Sequence, residues 1–482
     1  MRPETATLST LAADVGGRVI GPDVQIEDVE HDSRHVRPGT LFVAIRGFTT
    51  DGHRFVAAAV AAGAAAVCVE HPVQVPVPQL VVGETRAALG PLAAAVHGHP
   101  ARKMDVVGVT GTNGKTTVTY FLDTILRSAG VHSALIGTIG ARIGTETIPL
   151  QRTTPEASEL QRLLARMRDE RVEVVAMEVS SHSLVLHRVD GTVFRVAAFT
   201  NLTQDHLDFH QDMDTYFNAK TQLFSPEKAN EAVVFVDDPY GARLAESTRL
   251  PTTTVGFRPD ADIRAVSVHS GAAFSRFFLV GAEGRFAVHF PIGGVFNVAN
   301  ALVAAGCAHS VGISMDEIAS GLGNVEAVSG RFEIVSGGHP VAVIVDYAHT
   351  PDGIEAAIDA ARRAVPGRVI VVFGAGGDRD RRKRPFMGSA ASSADVVIIT
   401  NDNPRSEDPA EIADQVASGV VGSEALINLD RRRAIFEAVR MAEPGDIVLI
   451  LGKGHEQSQE FANRTVPFDD REVARQALEA RA

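Results

Sequence analysis

Apolar residues recur along this chain in two rhythms. The first is short, unbroken runs that end in polar or Gly-rich residues. "MDVVGVT" (104–110), "VEVVAMEV" (172–179), "VAVIVDYA" (341–348), "RVIVVFGAGG" (368–377), "ADVVIIT" (394–400) and "DIVLILGKG" (446–454) have this form. Such runs suit strands buried on both faces, and stretches of helical period lie between them, so a parallel sheet covered on both sides is expected. The second rhythm is helical. After "GTNGK", Val118, Phe121, Leu122, Ile125 and Leu126 fall at i, i+3, i+4, i+7 and i+8, and the pattern stops at Gly130. "FVAAAVAAGAAAVCV" (55–69) is too short and too Gly-broken to span a bilayer, and predicts a helix running into a strand. "TNDNPRSEDP" (400–409) predicts a strand-to-helix turn. Asp408 is its N-cap, Pro409 the first helical residue and Glu411 the far side of a capping box.

Three blocks follow from these patterns. Residues 1–102 carry short strands such as "TLFVAIRG" and close on the polar link "HGHPARK". Residues 103–329 open with a strand, a Gly-rich loop and a helix, and residues 330–482 start near "SGRFE" and repeat strand then helix. A length of 482 residues fits about three domains. The net charge of −13 argues against nucleic acid or an anionic membrane as a generic partner. Cys68 and Cys307, both in apolar surroundings, fit buried thiols in a reducing compartment, which makes cytoplasm the expected location. The opening stretch has no apolar core of signal-peptide length, so neither export nor membrane insertion is expected.

The strongest chemical signal is "GVTGTNGKTTV" (108–118). A strand feeding a Gly-rich turn and a helix start offers backbone N–H groups to phosphates, with Lys115 for the terminal phosphates and Thr116 for Mg2+. The spacing departs from the usual rule, which places a glycine where this chain has Val109. Glu178 ends a second apolar strand, where a carboxylate suits the same metal. Asp205, His206, Asp208 and His210 follow a third strand, as ligands or as plain loop residues. In "DTYFNAKTQLF" a helix sets Lys220 on one face with Phe217, Thr221 and Phe224. Lys220 is then either a snorkelling cation or a desolvated neutral amine open to carbamylation. "FGAGGDRDRRKRP" has Arg379 where a dinucleotide fingerprint needs its third glycine, so NAD is rejected. Its basic run is a solvated charge stretch or an anion site.

In this order "GTNGKTT", "TTPE", "MEVSSHSL", "NLTQDHLDFH", "NAK", "FNVANALVA", "GRFE", "DYAHTPDG", "GGDRD", "DNPR" and "GKGHE" resemble the Mur ligase family, over about residues 30 to 460. The family's own loop has the form "GTNGKT", which accounts for the spacing. The resemblance implies an α/β fold of three domains: a smaller N-terminal domain for the uridine-nucleotide substrate, a central P-loop ATPase domain with a mostly parallel sheet, and a C-terminal Rossmann-like domain for the amino acid. It also implies cytoplasmic peptidoglycan-precursor synthesis, in which ATP drives addition of meso-2,6-diaminopimelate to UDP-N-acetylmuramoyl-L-alanyl-D-glutamate with Mg2+, by a monomer. Competing readings are an L-lysine-adding member, a folylpolyglutamate synthetase of similar fold, and a P-loop scaffold without catalysis.

Residue by residue, the resemblance implies ATP contacts at Gly111, Thr112, Asn113, Gly114, Lys115, Thr116, Thr117, Asn297, Asn300, Arg331, Asp346 and His349. Thr116, Glu178 and His206 match metal positions, and Lys220 matches a carbamylated lysine. Ser33, Arg46, His53, Thr153, Thr154, Ser180 and Arg188 match contacts to the uridine-nucleotide substrate; Leu186 stands where relatives commonly have Gln, which removes one such contact. Arg379, Asp402, Asn403, Pro404, Arg405, Gly452 and Glu456 match a diaminopimelate pocket. In it Arg405 is expected to clamp a carboxylate, while Asp402 and Asn403 face an ammonium.

Overall fold

A computed structural model describes residues 6–422 and 425–481. Its largest sheet has eleven strands, ordered from the edge hairpin Glu146–Ile148 and Gly140–Ile143 through Ser133–Gly137, Val174–Glu178, Asp105–Thr110, Phe194–Phe199, Ala229–Phe235, Thr252–Gly256 and Ile263–Ser270 to Ser275–Gly281 and Gly284–Phe290. The strands from Ser133–Gly137 to the start of Ile263–Ser270 run parallel, and both margins are antiparallel. Successive residues of Asp105–Thr110 feed opposite cores. Val106 joins the layer with Leu160 and Leu164, whereas Val107 and Val109 meet Val118, Phe121, Leu122 and Ile125 of helix Lys115–Ser128. That helix is the one expected from the i, i+3, i+4 spacing. Phe121 is fully buried, and truncating such a side chain costs about 3–5 kcal/mol.

A five-stranded sheet occupies the N-terminal part: Arg18–Ile20, Gln79–Val81, Ala66–Val69, Thr40–Val43 and Asp28–Glu30 in that order. The Ala-rich stretch forms helix Val56–Ala61 and strand Ala66–Val69. A six-stranded sheet occupies the C-terminal part: Glu333–Ile334, Ala342–Asp346, Ile447–Leu451, Val369–Phe373, Val396–Ile399 and Leu426–Ile427, parallel except for the first pair. The four apolar runs read as strands form its centre. The loop at the carboxyl end of Ala342–Asp346 reaches the large sheet's phosphate loop through Thr350, and strand carboxyl ends are where ligands of such sheets bind. The turn at 400–409 leads into helix Pro409–Ala417 capped by Asp408, whose carboxylate accepts from Ala410 N–H at 2.8 Å. The capping box does not form: no reciprocal bond joins Glu411 to the Asp408 backbone, so the carboxylate cap acts alone. Cys68 and Cys307 are free and buried, and burial pushes both thiols up. Among the described residues no helix is long and apolar enough to cross a membrane.

Candidate active site at the junction of the two large sheets

The loop between strand Asp105–Thr110 and helix Lys115–Ser128 is held by its neighbours. Thr112 N–H donates to Asn201 O at 2.9 Å, and Asn113 N–H to Asn201 Oδ1 at 2.9 Å. Gly114 adopts φ +88°, and Asn300 Oδ1 lies 2.3 Å from where a side-chain carbon would start, so only glycine fits there. Thr116 and Thr117 begin the helix and are buried.

Two lysines converge on one oxygen of this loop. Lys115 Nζ donates to Gly111 O at 2.9 Å and to Thr112 O at 2.8 Å, and Lys220 Nζ donates to Gly111 O at 2.8 Å. Lys220 is buried and stands 4.5 Å from the centre of the Tyr216 ring, so it does not snorkel. Burial, reinforced by the Lys115 charge, holds the Lys220 amine well below the usual lysine range. Burial also lowers Lys115, with Glu178 opposing.

Beside them Glu178 is buried at its strand end. Oε2 accepts from Thr116 Oγ1 at 2.9 Å and from Thr138 Oγ1 at 3.0 Å, and Oε1 accepts from Thr138 N–H at 2.8 Å. His206 adopts φ +55° and begins the helical turn Leu207–His210. Desolvation, only partly offset by Asp205, pushes its imidazole down to about 3, with His182, Lys383 and Lys115 adding repulsion. Its side chain is 38 % exposed, but into a cleft whose cations disfavour a further positive charge, so the neutral ring is the form present near pH 7.

The C-terminal part reaches into this loop at several points. Arg331 Nη2 donates to Thr116 Oγ1 at 3.1 Å, Asn113 Nδ2 to Thr350 Oγ1 at 3.3 Å, and Lys383 Nζ to Asp205 Oδ1 at 2.9 Å. Burial alone would raise the Asp205 carboxyl, but Lys383, His206 and His349 hold it well below the usual range. His349 Nε2 is 3.5 Å from Asp205 Oδ2. Asp346, at the end of its strand, accepts from Phe332 N–H at 2.6 Å and from Ala348 N–H at 2.7 Å, and burial raises its carboxyl. Between the two parts lies a cavity of about 330 Å³. Asn113, Gly114, Thr117, Asn297, Asn300, Arg331 and Asp346 line it, as do aromatic residues that the sequence had not singled out, Phe235, Phe257, Phe296 and Tyr347.

The other expected residues fall into two groups. Thr153 Oγ1 bonds Thr138 Oγ1 at 3.1 Å, Thr154 Oγ1 donates to Glu178 O at 2.9 Å, and Ser180 caps helix Ser181–Val185. Those three surround Glu178 or its strand end, and Arg188 pairs with Glu156 at 2.9 Å. Further out on the N-terminal sheet, Arg46 pairs with Glu70 at 2.9 Å, while His53 bonds Asp51 through Nδ1 at 2.7 Å and accepts from Glu70 N–H at 3.0 Å. Ser33 is half-buried in the same part.

Arg379, Asp402, Asn403, Pro404, Arg405, Gly452 and Glu456 do come together, at the ends of three parallel strands. Arg379 Cγ and Arg405 Nη1 both lie within 4 Å of where a side chain on Gly376 would start, and Asp402 Oδ2 abuts Gly452. Asp402, Asn403 and Pro404 are buried, however. Asn403 Oδ1 accepts from Lys453 Nζ and from Glu460 N–H, both at 3.0 Å, and its Nδ2 donates to Glu456 at 2.8 Å. Asn403 thus ties the loop to the hairpin Ser458–Phe461/Arg464–Pro467 and to the "GKGHE" turn, while Asp402 meets the hairpin through its backbone oxygen, which accepts from Gln459 Nε2 at 2.8 Å. Arg431, fully buried, ties the same ends together: it pairs with Asp470 at 2.6 Å and donates to Leu451 O and Asn401 O. Thr138, Glu156, Lys383, Arg431, Lys453 and Glu460 were not visible in the sequence as site residues, although Glu156, Lys383 and Lys453 lay inside stretches already marked.

Three family profiles match in succession: Mur ligase family, catalytic domain, over residues 25–109; Mur ligase middle domain over 109–308; and Mur ligase, glutamate ligase domain, over 330–454. The chain is 45% identical to a UDP-N-acetylmuramoyl-L-alanyl-D-glutamate–2,6-diaminopimelate ligase of Streptomyces coelicolor, over 99% of this chain and 97% of that protein. It is 44% identical to a protein of the same name in Bacillus velezensis, over 95% of each. A solved structure of a ligase of that name, 31% identical, superposes with a TM-score of 0.71 over 99% of both chains. With these motifs in this order on this fold, the chain belongs to the Mur ligase family.

Proposed function

We propose that this chain is a cytoplasmic, ATP-dependent amide ligase of peptidoglycan-precursor synthesis, adding meso-2,6-diaminopimelate to UDP-N-acetylmuramoyl-L-alanyl-D-glutamate. In this reading residues 1–102 hold the uridine nucleotide, 103–329 the ATP and 330–482 the incoming amino acid. The observation that carries it is the contact of Arg331 with Thr116, by which the C-terminal part adds a cation to the phosphate loop of the central part. A phosphate site and an amino-acid pocket built on separate sheets then share one reaction centre.

A carboxylate resists amine attack because its carbon carries a full negative charge on oxygen. The side-chain carboxylate of the substrate's glutamate therefore attacks the γ-phosphorus of ATP, and the bond to the β,γ-bridging oxygen breaks to release ADP. Lys115 and Arg331 are set to neutralise the charge that spreads over the transferring phosphoryl oxygens. The diaminopimelate amine then attacks the acyl phosphate carbon, phosphate leaves with the bonding pair, and the amine loses a proton to give the amide. Mg2+ fits this donor set: Thr116 and Glu178 offer hard oxygens and His206 a neutral imidazole, and when bound the ion would draw charge off the transferring phosphate. Lys220, buried and with its amine held well below the usual lysine range, is the amine that CO2 would convert to a carbamate. Water would hydrolyse the acyl phosphate, and the contacts of Lys383 and Thr350 across the cleft help to exclude it.

The test is ATP-dependent amide formation by the purified protein, with meso-diaminopimelate and L-lysine compared side by side. ADP release and tripeptide product are expected with diaminopimelate. No ADP release with all three substrates present refutes the ligase reading, and a preference for lysine refutes the substrate.

A further inference from the structure

We propose that the outer face of the antiparallel margin of the large sheet is a docking surface for an anionic lipid bilayer, to which the protein binds peripherally. Strands Ile263–Ser270, Ser275–Gly281 and Gly284–Phe290 form this margin. Their inward residues, among them Ile263, Phe277, Leu279 and Val288, share a core with helices Val295–Ser310 and Met315–Gly323, so that face is closed. Residues paired across an antiparallel ladder point to the same side, and the register therefore gives the outer face row by row. Arg264, Val280 and Arg285 make one row, and Val266, Phe278 and Ala287 the next. A bulge between Val266 and His269 adds one residue, which brings His269 into a third row with Arg276 and His289. Every residue of the three rows is half-buried or exposed.

The rows hold three arginines, two histidines and no acid, on a chain whose net charge is −13. Nearby acids are engaged elsewhere or lie off the face. Asp262 accepts from Thr254 N–H at 2.8 Å, Glu283 accepts from Met315 N–H at 3.2 Å, and Asp316 lines a groove with Arg285 along the free edge. An apolar row between two cationic ones suits lipid headgroups, whose phosphates pair with the arginines. Two stacked pairs favour lipid over nucleic acid. The Arg285 guanidinium lies 3.7 Å from the centre of the Phe278 ring, where a base would have to stack, and that of Arg276 lies 5.2 Å from the centre of the Phe274 ring. Phe274 is nevertheless 49 % exposed, beside the exposed Ala273 at the tip of the turn between the first two strands. An aromatic at such a tip fits the boundary of headgroups and acyl chains. Salt screens the repulsion of the remaining acidic surface beyond about 8–10 Å, so approach succeeds with this face foremost. The proposal goes beyond the ligase reading and does not depend on it, because none of these residues belongs to the phosphate loop or to the amino-acid pocket.

The test is co-sedimentation of the full chain with vesicles of phosphatidylcholine, alone or mixed with phosphatidylglycerol, at low and at raised KCl. Wild type is expected to pellet with the mixed vesicles only, and less as salt rises. At about fivefold per arginine, the double variant Arg276→Glu with Arg285→Glu should bind the mixed vesicles at least about tenfold more weakly. Its thermal melting midpoint should match wild type; if it does not, the neutral pair Arg276→Gln with Arg285→Gln takes its place. Phe274→Ser should weaken binding while keeping the salt dependence. No pelleting of wild type, equal pelleting with both kinds of vesicle, or a folded double variant that binds like wild type overturns the proposal. Retention by a single-stranded oligonucleotide without vesicle binding gives the face another partner and overturns it too.

Discussion

Replacing Lys383 by methionine removes the one ammonium that bonds Asp205 and keeps most of the buried stem. The pair spans 178 positions of sequence and joins the two large sheets, with both side chains at most 7 % exposed. Removing one partner of a buried pair strands the other charge and costs about 3–5 kcal/mol. His206 and His349, each with a nitrogen 3.5 Å from Asp205 Oδ2, soften the penalty, so the lower figure applies. The cost falls on the closed arrangement, because a cleft that opens lets water reach Asp205. At about 1.4 kcal/mol per factor of ten, ~3 kcal/mol predicts a fall of roughly 100-fold in kcat/KM, with the thermal unfolding midpoint nearly unchanged. The assay is steady-state phosphate release with each substrate varied in turn, alongside a thermal melt. The double variant Lys383→Met with Asp205→Asn completes a cycle and should recover part of the loss, since no unpaired charge remains. A single variant within about threefold of wild type, or a double variant no better than the single one, refutes the reasoning.

Lys220, whose buried amine is held below the usual lysine range, should take up CO2: protein prepared free of CO2 is expected to be sluggish and to regain its rate with bicarbonate, and activity and intact mass insensitive to CO2 would count against this. Arg405→Ala should raise the KM for diaminopimelate by 100-fold or more while leaving ATP binding, measured by calorimetry, within about threefold; equal losses would return the loop to a plain turn. His206 has a folded pKa of about 3, below the ordinary value of about 6.5, so its neutral form favours the folded state above pH 6.5 and that contribution is lost as pH falls from there toward 3. Urea midpoints should therefore drop between pH 7 and 5 by less in His206→Gln than in wild type, and parallel slopes would exclude the effect.

Much of the frame was legible because it is local. The phosphate loop follows from a strand, glycines and a helix start within eleven residues, and the apolar runs of the C-terminal part became the central strands of its sheet. Lys220 was left between two readings by periodicity, since a helix face gives a direction but not what lies there; Gly111 O, 109 positions away, decides that the amine is buried. Asp402 and Asn403 were drawn as substrate contacts because their chemistry suits an ammonium. The Asn403 oxygen is shared by Lys453 and a hairpin, whose approach no local pattern announces. Glu460 stands in "SQEFAN" with nothing to mark it, and the missing capping box at Glu411 shows that a spacing permits a bond without requiring it.

The shared carbonyl of Gly111 ties two events that look separate. Lys115 rests on it and must leave to meet a phosphate, while Lys220 is kept short of a proton partly by the Lys115 charge. Whatever draws Lys115 away relaxes that pressure, and the anionic nucleotide further favours a protonated Lys220, the form that does not react with CO2. Thermodynamic reciprocity then couples the two sites: if CO2 adds to Lys220, the metal-free nucleotide and CO2 each weaken the other's hold by the same factor. The empty loop, with Lys115 folded back on its own backbone, is thus the state in which the Lys115 charge bears most directly on the Lys220 amine.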